Sequence, residues 1–80
     1  MIKVTIGNNV SREAYIIDPN TTLKAALDDA GMDYTRGTMH LDGAPLGAGD
    51  LNKTFSELGY SSEDGHNKAF LLNVVKADNA

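Results

Sequence analysis

Apolar residues occupy every second position at the start of the chain, where Ile2, Val4 and Ile6 alternate with Lys3 and Thr5. A period of two built from β-branched residues predicts a strand with one buried face. Gly7-Asn8-Asn9 follows, and residues that tolerate positive φ at this point signal a hairpin. The returning strand begins near Val10 or Arg12 and runs to Ile17. Tyr15 and Ile17 share one of its faces and Ala14 and Ile16 the other. The first pair carries more bulk, but alternation by itself does not say which pair is inside.

Asp18-Pro19 ends this strand, because proline removes a ladder donor and restricts the residue before it. Thr21 or Thr22 can cap a helix whose apolar stripe is Leu23, Ala26, Leu27 and Ala30, and Gly31 supplies its left-handed stop. Met32 to Gly37 is a connection. Thr38-Met39-His40-Leu41 reads as a short strand with Met39 and Leu41 on one face. Asp42-Gly43 turns it back into Ala44-Pro45-Leu46, which the proline confines to a sheet edge. Gly47 to Asp50 reads as a loop. Leu51, Phe55 and Leu58 have the spacing of a short helical turn over the core, ended by Gly59. Ser61 to Asn67 is a polar loop. Ala69 to Val75 is the most apolar segment and reads as a central strand. The last strand can pair in parallel with the first. The expectation is one α+β domain over residues 1–76 with a polar tail at 77–80. A mixed four- to five-stranded sheet would pack on one α-helix plus a short helical turn.

Composition narrows the functional classes. The 80 residues include no cysteine, which excludes disulfides, thiolate metal sites and a cysteine nucleophile. Eleven acidic against seven basic residues give a formal net charge of −4, which argues against broad electrostatic binding to nucleic acid or an anionic membrane. The N-terminal segment lacks the long apolar run of a secretion signal, and no stretch is long enough to span a bilayer, so a cytoplasmic setting is expected. His40 and His66 have no ligand-spaced partners, so no metal or other cofactor is expected. The acids Asp28, Asp29 and Asp33, and the pair Glu63-Asp64, read as solubilising charge that matches a basic partner. Acid–base catalysis would need a cleft that separates their pKa values. The glycines form no phosphate loop and no serine sits in a nucleophile elbow, so no enzymatic activity is expected. Lys3, Lys68 and Lys76 are not interleaved with exposed aromatics, for which Tyr34 and Tyr60 are the candidates.

The order of segments resembles the β-grasp fold, and the local residues resemble ubiquitin-like proteins over nearly the whole chain. Ile17-Asp18-Pro19-Asn20-Thr21-Thr22-Leu23 is similar to that family's strand–acid–proline–cap–helix junction. Met39 to Leu46 resembles its third strand, glycine turn and returning leucine, and Phe55-Ser56-Glu57-Leu58 its turn before the last strand. In that last strand the resemblance implies Phe70, Leu72 and Val74 inward, with Leu71, Asn73 and Val75 outward. More narrowly, Asp42-Gly43-Ala44-Pro45-Leu46 and the Val75-to-Ala80 end resemble the small bacterial proteins called prokaryotic ubiquitin-like. The resemblance implies a bacterial setting and protein partners such as activating, conjugating or deubiquitinase-like enzymes.

The chain departs from covalent modifiers of this fold in having no Gly-Gly. Glycine there lets the terminal backbone thread a narrow enzyme channel. The expected function is therefore a monomeric, non-covalent protein-interaction module. Its docking residues would be Lys3, Thr5, His40, Leu71 and Asn73, with Leu71 as the apolar anchor. The alternative is a covalent modifier or carrier activated at the carboxylate of Ala80. A third reading is a dimer formed by edge pairing of the Thr38–Leu41 strand, which Pro45 on the neighbouring piece opposes.

Overall fold

The computed structural model describes residues 1–8 and 10–74. Strands β1 (Ile2–Gly7) and β2 (Arg12–Ile17) form the predicted antiparallel hairpin, with Val4 opposite Tyr15. Asn8 organises the turn, its Oδ1 accepting from the backbone N–H groups of Val10 and Ser11 at 2.8 and 2.9 Å. Gly7 is needed by close approach, since a Cβ there would lie 2.1 Å from the Ser11 carbonyl oxygen.

The chain leaves the sheet at Asp18-Pro19 and enters helix α1 (Leu23–Ala30). Of the two candidate caps it is Thr22 whose hydroxyl oxygen accepts from the Ala25 N–H, at 3.1 Å. Gly31 ends the helix in the left-handed region, at φ 70°. The i, i+3, i+4 stripe of Leu23, Ala26 and Leu27 is buried, as an amphipathic helix laid on a sheet requires. Strands β3 (Thr38–Leu41) and β4 (Ala44–Pro45) are joined by Asp42-Gly43. Both turn residues have positive φ (50° and 86°), the geometry of a two-residue hairpin turn.

A 3-10 helix over Ala48–Asn52 precedes strand β5 (Lys68–Val74). The helical turn thus comes earlier than the Leu51–Phe55–Leu58 spacing predicts. Asp50 Oδ2 accepts from the Gly47 N–H at 2.9 Å and starts the turn there. Residues 55–59 instead form hydrogen-bonded turns, in which the Leu58 and Tyr60 N–H groups donate to the Phe55 carbonyl. Phe55 still reaches the core and is fully buried.

The sheet order is β2-β1-β5-β3-β4, with β1 and β5 parallel and the remaining pairs antiparallel. The result is a β-grasp-like α+β fold, with one core formed by Ile2, Val4, Ile6, Met39, Leu41, Ala69, Leu71, Phe55 and the helix stripe. Two expectations are corrected. β3 lies inside the sheet between β5 and β4, and the long free edge is β2. In β5 it is Ala69, Leu71 and Asn73 that face the helix, while Phe70 and Val74 are exposed and Leu72 is half-buried. Val75 and the 76/77 domain boundary lie outside the described residues. Among the described residues no helix is long and apolar enough to cross a membrane.

Candidate protein-interaction face

The helix covers one face of the sheet, and the cross-strand register defines what the other presents. One row runs Ile16–Lys3–Lys68 across β2, β1 and β5. The next runs Ala14–Thr5–Phe70. The third runs Arg12–Gly7–Leu72–His40–Pro45 through all five strands, and Val74 opposite Thr38 completes the face. Ile16 is 67% exposed, Phe70 50% and Val74 37%. Ile16, Phe70 and Val74 thus share the uncovered face; contiguous apolar patches mark contact sites, whereas single exposed apolar side chains are ordinary. Gly7 adds to this surface, because it places no side chain between Leu72 and β2.

Phe70 is held from below by Asp42. The Asp42 N–H donates to the Phe70 carbonyl at 2.8 Å, and Asp42 Oδ1 accepts from the Phe70 N–H at 2.9 Å. Asp42 Oδ2 accepts from the Tyr60 hydroxyl. Burial, reinforced by this hydrogen bond and by the carboxylate charge, pushes the Tyr60 phenol above its ordinary range. The Tyr60 ring meets the buried Phe55 edge-on, with centroids 6.2 Å apart and planes at 81°. A backbone fixed on both sides presents its side chain with little entropy left to lose on binding.

The structure brings together three of the residues expected on the docking face. Lys3 is exposed, and Thr5 and His40 are half-buried at outward positions. His40 Nδ1 lies 3.2 Å from the Thr38 carbonyl oxygen, within hydrogen-bond distance. Leu71 and Asn73 are on the other side. Leu71 is 0% exposed and paired with Ile6 in the core. Asn73 is 3% exposed, and its Nδ2 donates to the Arg36 carbonyl at 2.7 Å and contacts Met39 Sδ at 3.2 Å.

The expectation for β5 is therefore off by one position, which inverts every side chain in a strand. The run Ala69–Val75 is apolar at both parities and carries no alternation to read. Asn73 looks like a surface residue until the loop carbonyl that satisfies it is known. Phe70, Leu72 and Ile16 are the face residues that sequence reasoning missed. The available signal was Lys68, a charged residue that shares Phe70's parity and marks it as outward. Tyr34 and Tyr60, the aromatics expected at the surface, are half-buried, and Phe70 takes that place. Ala80 lies outside the described residues.

Charge is unevenly distributed over the two faces. The outward strand positions hold Lys3, Arg12 and Lys68 and no carboxylate. Glu13, the one acid in the described strands, is on the opposite face, where its Oε2 accepts from the Tyr15 hydroxyl at 3.0 Å. The ion pairs among the described residues, Lys24–Asp28 at 3.5 Å and Lys53–Asp50 at 3.2 Å, involve none of the three. No group of three His, Asp or Glu side chains among the described residues converges as a metal ion would need. No known protein-family profile matches the chain, and no curated protein matches it in sequence.

Proposed function

We propose that this protein is a non-covalent protein-interaction module, without catalytic activity of its own, that docks a partner on the open face of its sheet. The observation that carries the reading is Phe70. It is a large aromatic at half exposure in the middle of a central strand, flanked by Thr5 and Leu72 and anchored through its backbone to Asp42. Aromatic anchors on preorganised backbone are the residues that dominate binding energy at interfaces. The resemblance to prokaryotic ubiquitin-like proteins supports a cytoplasmic role beside activating, conjugating or deubiquitinase-like enzymes of a bacterial pathway.

The test compares wild-type chain and Phe70→Asp as baits in the native host, with proteins recovered under native conditions and quantified by mass spectrometry. Specific partners should fall roughly tenfold or more with Phe70→Asp, the loss of about 1.4 kcal/mol or more. They should be retained by Asp29→Lys on the helix side. Circular dichroism checks that both variants fold. Equal recovery by wild type and Phe70→Asp would sink the proposal. So would a ladder of heavier tagged species surviving fully denaturing purification, which would make the chain a covalent modifier.

A further inference from the structure

We propose that the segment docking on this face is acidic: a stretch of a partner protein with an apolar anchor and an adjacent carboxylate. The carboxylate would be received between Lys3 and Lys68. The inference rests on the reading of the sheet face as a protein-docking surface. Three observations on separate residues carry it.

The first is the charge of the face. A chain with net charge −4 presents here three basic side chains and no strand carboxylate. A random scatter of its eleven acids and seven bases would put acids on the face as well. The carboxylate of Asp42, in the turn that adjoins the face, is taken up by the Phe70 N–H and the Tyr60 hydroxyl.

The second is the Lys3–Lys68 pair. The two residues face each other across parallel strands, and neither is in an ion pair among the described residues. Like charges directly opposite each other destabilise a sheet. An anion between them removes that repulsion and replaces it with two attractions.

The third is shape. Lys3, Thr5, Lys68, Ala69 and Phe70 line a cleft of about 180 Å³ that is open to solvent, with room for one side chain. The cleft sets a carboxylate site directly beside the exposed Phe70 ring. The ligand must therefore carry its charge next to an apolar group.

Single-stranded nucleic acid also combines negative charge with flat apolar rings, and Phe70 beside two lysines is a stacking position. The rest of the face argues against it. Ile16, Leu72, Val74 and Pro45 are aliphatic, and the rings that the described strands place on the face, Phe70 and the half-buried His40, stand in different cross-strand rows, with His40 Nδ1 within hydrogen-bond distance of the Thr38 carbonyl. A platform for successive bases uses several stacking rings.

The experiment selects from a display library of short random peptides on immobilised full-length chain. Four baits are used in parallel: wild type, Lys3→Gln/Lys68→Gln, Phe70→Asp and the charge-matched control Lys24→Gln/Lys53→Gln. Wild type and the control should enrich peptides with Asp or Glu next to Leu, Ile, Phe or Trp. Phe70→Asp should enrich nothing above background. Lys3→Gln/Lys68→Gln should lose the acidic bias and bind the wild-type winners roughly tenfold more weakly. That difference should shrink as salt rises.

Phe70-dependent winners that are neutral or basic would overturn the inference and leave the docking face standing. Winners unaffected by Phe70→Asp, or no winners at all, would overturn both. A fluorescent oligothymidine that binds wild type at physiological salt and is lost with Lys3→Gln/Lys68→Gln would replace the acidic protein segment by nucleic acid.

Discussion

Asp42 does three jobs with one short side chain and one peptide unit. Its positive φ of 50° makes the tight turn, its N–H extends the β3–β5 ladder, and its carboxylate ties Phe70 to Tyr60. Asp tolerates the left-handed region better than most residues because its side chain can bond locally. The link has a pH signature. The folded protein holds the Tyr60 proton more tightly than the unfolded chain does. This contribution to stability is whole below the ordinary phenol pKa of about 10 and falls as pH rises beyond it. In a tyrosinate absorbance titration the last ionisation of the wild type should disappear in Tyr60→Phe. Asp42→Ala should bring that step to lower pH and cost about 1–3 kcal/mol at neutral pH, because the Phe70 N–H loses its acceptor. An unchanged titration in Asp42→Ala would show that burial alone holds the phenol neutral.

At the scale of the element, β5 decides the arrangement of everything else. It lies between β1 and β3 in the middle of the sheet, buries Ala69, Leu71 and Asn73 against the helix, and offers Phe70 and Leu72 to the outside. The two faces differ measurably in what a truncation costs. Leu71→Ala should lower unfolding free energy by about 2–5 kcal/mol, the usual cost of deleting a fully buried leucine. Phe70→Ser should cost roughly 1 kcal/mol or less, because half of that side chain is already in water. Urea denaturation of the two variants checks the assignment, and a reversed order would put Phe70 in the core. The helix was easier to read than the strand. Thr22, the Leu23–Ala26–Leu27 spacing and Gly31 each specify a different part of it, and all agree. β5 had a mostly apolar run, which fits either parity, and its one charged marker, Lys68, stands at the first position.

Over the whole molecule, stability should grade from the centre of the sheet outward. β1 and β5 are each paired on both sides, whereas β2 has a free edge and β4 spans only two residues. Amide exchange of Val4, Ile6 and Leu71 should therefore report global unfolding, while Pro45's neighbours and the 3-10 helix exchange through local opening. Uniform exchange across all strands would contradict this gradient. Hydrophobic period, turn residues and caps determined that there would be an α+β domain and where the hairpins and the helix lie. Those features are local, and each is written in the residues that form it. Lys3, Thr5 and His40 were legible as outward because polar or charged residues alternate there with buried ones. Only the tertiary structure decided that Leu71 and Asn73 are inside and Phe70 outside. That choice depends on the register of β5 against β1 and on one distant carbonyl, that of Arg36, which satisfies the Asn73 amide. The gathering of Lys3 and Lys68 beside Phe70 is tertiary for the same reason. The two lysines are 65 positions apart, and only the parallel pairing of the first and last strands makes them neighbours.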